Sequence, residues 1–255
     1  MKKLLLLLMA AAIALSLAAC GGNAPSSQSP SSAADAASPA ADTPSSSTEF
    51  SEPTEPSLSS KGEEDAEGEE GGSSSNILIA YFTAAENSGV DAIASASFTT
   101  INGTAVGRLR AVADMIQTET GGDLFSIQTS VVYPADGGEL INYASQEQAD
   151  NARPELTSHI ENLEQYDVVF VGFPTWWYDL PQALYSFFDE YDFTGKTIVP
   201  FNVHNGSRFS GTIGTIKELE PGATVIEDGF TVSERSVAEA GADVARWVEQ
   251  LGYAK

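Results

Sequence analysis

Asp167-Val-Val-Phe-Val171 runs without a break into Gly172-Phe-Pro-Thr-Trp-Trp-Tyr-Asp-Leu-Pro181. The apolar run is of strand length and reads as a strand buried on both faces. The loop after it places three successive aromatics between two prolines, and they cannot all be core residues. Working outward, similar strands occupy residues 76–82, 123–128 and 196–203, and a fifth begins at 223–226. Helical spacing lies between them, at 105–119, 139–152, 154–165, 181–191, 211–220 and 237–251. In the first of these, Val106, Leu109, Val112, Ala113 and Ile116 share one face, and Gly121-Gly122 is a stop signal. The segment 154–165 opens with proline at its first turn. Strand and helix in alternation predict an α/β fold, a parallel sheet covered on both sides.

The rest of the chain differs in composition. Its 255 residues hold 12 Lys+Arg against 36 Asp+Glu, a formal charge of −24, and one cysteine. Such acidity argues against a nucleic-acid partner, whose phosphates need a basic face, and against lying flat on anionic lipid. One cysteine excludes an intramolecular disulfide, a CxxC pair and a cysteine zinc site. Met1-Lys2-Lys3 followed by a short Leu/Ala/Ile run is an export-signal pattern, too short for a membrane span. Leu17-Ala-Ala-Cys20 resembles the bacterial lipobox. By that resemblance residues 1–19 are a lipoprotein signal peptide and Cys20 carries a lipid anchor on the extracytoplasmic face of the cell membrane. Residues 20–75 read as a disordered Ser/Pro/Ala/Glu-rich tether, since such a composition buries too little apolar surface to offset its ordering entropy. The span 76–255 holds 9 basic and 25 acidic residues, all three Trp and all eight Tyr, enough for a core.

In a parallel sheet of this kind, ligands bind beyond the carboxyl ends of the strands. Three loops qualify. The first holds Thr83, Ala84, Ala85, Glu86, Asn87 and Ser88, a polar turn whose hydroxyls, amide and N–H groups suit a phosphate. The second holds Pro174, Thr175, Trp176, Trp177, Tyr178 and Asp179, an aromatic platform for a flat heterocycle. The third holds His204, Asn205, Gly206 and Ser207, with glycine permitting close backbone approach. No cluster has metal-ligand spacing. Gly195-Lys196-Thr197 lacks the upstream glycine of a P-loop. Asn102-Gly-Thr and Asn205-Gly-Ser match glycosylation sequons, which the bacterial signal makes irrelevant.

These loops carry a resemblance to a family. The segments Ile79-Ala-Tyr-Phe-Thr83, Gly122-Asp-Leu-Phe125, Ala152-Arg-Pro-Glu-Leu156, Pro174-Thr-Trp-Trp177 and Tyr191-Asp-Phe-Thr-Gly-Lys-Thr197, then His204 with Gly206-Ser207, resemble flavodoxin-like FMN-binding proteins of the long-insert bacterial group. The resemblance covers nearly all of 76–255. It implies a three-layer, doubly wound fold with a five-stranded parallel sheet in the order 2-1-3-4-5. It also implies FMN as cofactor, its phosphate on the first loop and its ring between the second and third, with Trp176 or Trp177 stacking.

The sequence departs from the family in four respects. Ala85-Glu86 replace Thr-Gly in the phosphate loop, and about sixteen residues follow as an insert. Helix one opens with Gly107-Arg108-Leu109 where relatives have Gly-Asn-Thr, so Arg108 is either a phosphate ligand or an exposed helix residue. Tyr178 replaces a glycine. Asp179 either sits near the ring or points to solvent. The expected function is electron transfer through FMN by a membrane-anchored protein, as a carrier or a nicotinamide-dependent reductase, with an unnamed redox partner. The alternative is a non-redox module on the same fold, an FMN scavenger, sensor or interaction domain.

Overall fold

The structure, a computed structural model, describes residues 76–255. The expected signal peptide, Cys20 and the tether lie outside the described residues. In chain order the main elements are β1 (Ile77–Tyr81), β2 (Phe98–Ile101), β3 (Thr104–Gly107), α1 (Arg108–Thr120), β4 (Asp123–Ser126) and α2 (Gly137–Ala149). There follow β5 (Val168–Pro174), α3 (Gln182–Glu190), β6 (Thr197–His204), α4 (Thr212–Leu219), β7 (Thr224–Val225), β8 (Phe230–Ser233) and α5 (Gly241–Leu251).

The central sheet is parallel, in the order β4-β1-β5-β6-β7, with β8 also paired to β6. Counted by position this is 2-1-3-4-5, as the resemblance implied. Period-two alternation sends Ile77, Ile79 and Tyr81 of β1, with Val168 and Phe170 of β5, to the face covered by α1 and α5. Leu78, Ala80 and Phe82, with Val169, Val171 and Phe173, go to the opposite face, under α2, α3 and α4. Both faces of each strand are therefore apolar, which is why the strands read as unbroken runs.

The fifth position is split. β7 pairs with Thr197 and Ile198, β8 with Phe201 to His204, and the chain between them leaves the ladder opposite Pro200. Thr224 N–H donates to the Lys196 carbonyl and Ile226 N–H to that of Ile198, so alternate residues of β6 face this edge. Pro200 is the next of them and has no N–H to offer. Gly229 crosses there so closely that a Cβ on it would lie 2.5 Å from the Pro200 carbonyl oxygen.

Two helix expectations are corrected. The helix over 105–119 begins at Arg108. Ala105 and Val106 belong instead to β3, which forms an antiparallel hairpin with β2. Asn102 (φ 50°) and Gly103 (φ 83°) make its two-residue turn, the favoured chemistry for such a hairpin. The helix over 154–165 does not form, apart from one short turn at Leu163–Gln165. That segment spends its backbone on distant partners. Leu156 bridges Thr129, Thr157 N–H donates to the Gln128 carbonyl, and Ile160 N–H donates to the Tyr191 hydroxyl.

Candidate functional site

A cleft of about 450 Å³ opens at the carboxyl ends of β5 and β6, beside the start of α1. Ten of the residues singled out in the sequence line it: Arg108, Pro174, Thr175, Trp176, Trp177, Tyr178, His204, Asn205, Gly206 and Ser207. Thr83, Ala84, Ala85, Glu86, Asn87, Ser88, Gly107 and Asp179 are not among its walls.

The aromatic wall is built on a tight turn. Trp176 N–H donates to the Asp179 carbonyl (3.0 Å) and Asp179 N–H returns the bond (2.9 Å). Trp177 and Tyr178, at φ 48° and 68°, are its central residues. Both lie in the left-handed region, which costs a non-glycine residue about 1–2 kcal/mol and normally selects Asn-Gly. Surrounding bonds hold the turn in place. Trp177 Nε1 donates to the Ile141 carbonyl of α2 (3.0 Å), and Trp176 packs edge-on to Phe82 (5.6 Å) and against Tyr133 (5.6 Å). Trp177 remains 48% exposed and Tyr178 72% exposed, so the turn presents large aromatic surface rather than burying it. Backbone outliers of this kind cluster at active sites and ligand clamps.

The second and third loops are tied together. The Arg208 carbonyl accepts from both Thr175 Oγ1 (2.8 Å) and Asn202 Nδ2 (2.8 Å), and Arg208 itself has φ 53°. His204 Nδ1 accepts the Gly206 N–H (2.9 Å), so in the neutral ring the proton sits on Nε2, leaving that atom as a donor. Burial, then the nearby Arg208 charge, holds the His204 pKa below the ordinary histidine value, against the pull of Glu234.

The first loop faces inward. Asn87 Nδ2 donates to the Thr83 and Ile127 carbonyls, its Oδ1 accepts from Thr129 N–H, and Ser88 Oγ donates to the Ala85 carbonyl. The Glu86 carboxylate accepts from the Tyr81 hydroxyl (3.1 Å) and Ser126 Oγ (2.5 Å), with Arg110 at 3.8 Å. The Tyr81 hydroxyl is pushed up to about 12 by burial and by Glu86. Thr83 is fully buried with no partner for its hydroxyl, and Gly107 approaches so closely that a Cβ there would lie 2.9 Å from that oxygen. Asp179 takes neither position offered by the sequence. It accepts from Leu180 N–H (2.8 Å) and from the Tyr185 hydroxyl (2.9 Å), away from the cleft.

The walls include residues that sequence reasoning did not single out: Ala96 and Ser97 of the insert, Leu140 and Ile141 of α2, and Glu234 after β8. The Asn102-Gly103 pair between two apolar runs was the available signal for the first two, because a hairpin brings the insert back to the sheet. Behind the wall, the Tyr133 hydroxyl donates to Glu147 Oε1 (3.1 Å), while Glu147 Oε2 is buried without a partner. Burial raises the Glu147 pKa above the usual carboxylate value.

The fold agrees with what the chain is similar to. A family model described as Flavodoxin matches residues 98–251. The chain belongs to the flavodoxin family. Flavodoxin 1 of Escherichia coli (strain K12) is 30% identical over 114 residues, covering 38% of this chain and 65% of that relative. The chain thus spans just under two thirds of that relative's length. A flavodoxin of Klebsiella pneumoniae is 34% identical over 76 residues, 26% of this chain and 43% of its own. Among solved structures, a flavoprotein of Bacteroides uniformis is 25% identical, with a TM-score of 0.52, over 68% of this chain and 97% of its own. Within this flavodoxin-family chain, the match begins at β2, so the hairpin and every residue lining the cleft except Ala96 and Ser97 lie inside it, while β1 and its loop lie outside.

Proposed function

We propose that the chain binds FMN in the cleft at the carboxyl ends of β5 and β6 and serves electron transfer, held at the extracytoplasmic face of the cell membrane by lipid on Cys20. The observation that carries the cofactor is the strained aromatic turn Trp176–Asp179, which keeps two large rings at the mouth of a cleft whose volume falls within the ~300–1,000 Å³ of ligand sites. The residues fit the group. The Trp176–Tyr178 wall suits a flat tricyclic ring, His204 Nε2–H offers a donor at the facing loop, and Arg108 lines the same cleft with a buried Nε that lacks a partner. Family membership supports the same cofactor. Bound FMN supplies one- and two-electron redox chemistry. The chain's own residues bind and orient it, and none is required as acid or base. Anchoring is supported by the Leu17-Ala-Ala-Cys20 signal alone.

Titration of the full chain with FMN, followed by flavin fluorescence, tests the cofactor. Strong quenching with sub-micromolar affinity, weakened about tenfold or more by Trp177→Ala, is the expected result. Fluorescence unchanged to high-micromolar FMN would remove both the cofactor and electron transfer, leaving a non-redox module on an inherited fold. A Cys20→Ser chain found in the same membrane fraction as the parent would remove the anchor.

A further inference from the structure

Arg108 and Glu234 meet on the cleft wall from opposite ends of the domain sequence. Arg108 Nη1 lies 3.5 Å from Glu234 Oε2, with 24% and 28% of the two side chains exposed. The insert holds the arginine in place. Its Nη1 donates to the Ala96 carbonyl (2.7 Å) and its backbone N–H to the Ser97 carbonyl (2.9 Å), while Nε is buried with no partner. The first turn of α1 contains two arginines and no carboxylate, although a cation there opposes the positive end of the helix. Arg110 is committed elsewhere, to Asp114 (2.7 Å) and the Tyr81 hydroxyl (3.0 Å). Arg108 instead has one carboxylate, met through a single oxygen at long range, inside the cleft. Loop 83–88, meanwhile, has turned its polar groups inward. An exchangeable cation thus stands on the cleft wall of a domain with 25 acidic and 9 basic residues.

We propose that Glu234 occupies the place of a ligand phosphate on Arg108, and that exchange of the one for the other sets how strongly the site prefers phosphorylated over unphosphorylated flavin. The proposal rests on the reading that a flavin enters the cleft. The guanidinium can meet two phosphate oxygens at once, where Glu234 offers it one weak contact. Glu234 N–H stays bonded to the His204 carbonyl (2.8 Å), so the exchange moves a side chain and leaves the backbone in place. Neutralising Glu234 removes both a competitor for Arg108 and a like charge beside the phosphate.

The test titrates the full chain with FMN and, in parallel, with riboflavin, following flavin fluorescence. Glu234→Gln tightens FMN about tenfold and leaves riboflavin within about twofold. Arg108→Gln weakens FMN to the affinity of riboflavin, whose retained binding shows that the variant is folded. An FMN-to-riboflavin ratio unchanged by Glu234→Gln overturns the proposal even if both flavins bind well. Failure of the parent chain to quench either flavin overturns the flavin reading itself, and the proposal with it.

Discussion

Of the glycines among the described residues, Gly172 has the closest neighbour, and replacing it by alanine probes the sheet beneath the cleft. Gly172 of β5 pairs in register with Phe201 of β6, whose ring is fully buried. A Cβ on residue 172 would lie 2.2 Å from Phe201 Cζ and 2.3 Å from Cε2. Carbon atoms pack at about 3.5–4.0 Å, so the ring must retreat by more than about 1 Å. It has little room, because β6 is clamped between β5 and β8. Overpacking of a filled core costs typically 1–3 kcal/mol, and a rigid ring held on both sides places Gly172→Ala at the upper end, about 3 kcal/mol. For a domain of this size that is a fall in Tm of about 6–12 °C. The strain also reaches the cleft, since Thr175 N–H donates to the Val203 carbonyl only a few residues beyond. Thermal and urea denaturation of the full chain measure the cost. Phe201→Leu in the same chain should recover part of it, with a coupling of at least about 1 kcal/mol in the double-mutant cycle. A Tm within about 2 °C of the parent for Gly172→Ala, or simple additivity of the two substitutions, would refute the close approach.

Three further outcomes follow from the side chains around the cleft. His204 should titrate below the ordinary histidine value of about 6.5, read by NMR of its ring, and Arg208→Gln should raise it. Because its folded pKa is lowered, the unfolded chain binds the proton first. The stability His204 confers is complete above about pH 6.5 and is lost as pH falls toward the folded value. Glu147 has the opposite sense. Its raised pKa means that its contribution is present below about 4.5 and is lost as pH rises through the folded value. Stability of Glu147→Gln relative to the parent should therefore improve from pH 4 to pH 7, and a pH-independent difference would contradict the burial of that carboxyl. Tyr185 is pushed up to about 12 by burial and then by its bond to Asp179. Asp179→Ala should lower it, seen by ultraviolet titration of tyrosine, and no change would mean that Asp179 lies elsewhere.

The parts of the fold that were legible were those set by burial. β1, β5 and β6 are apolar on both faces, and a continuous run of that length has few other readings. The parts that were not legible depend on partners far away in sequence. Residues 154–165 carry an adequate helical pattern, but Ser158 Oγ, which donates to the Ser126 carbonyl and accepts from Gln128 N–H, ties them to the end of β4. Those bonds outweigh a weak propensity. Val106 falls on the apolar face of the following helix, so by that spacing residues 105–107 read as its start. β-branched residues on either side of Asn102-Gly103 were the stronger local signal. For the cleft, the aromatic and histidine loops were identified from composition and position beyond the strand ends. Glu234 was not, because nothing near it in sequence reports that β8 carries it opposite Arg108.

The proline in β6 has a consequence for how this chain meets its own copies. A strand at the rim of a sheet offers a row of unpaired backbone groups on which a neighbouring chain can add. By breaking the rim opposite Pro200, the protein leaves a run of two residues and a run of four, with Gly229 crossing between them. Both are shorter than the five or six residues of a common strand. A second chain arriving edge-on finds only a few rungs before the ladder ends. The residue that interrupts one strand thereby guards this rim of the sheet against being lengthened.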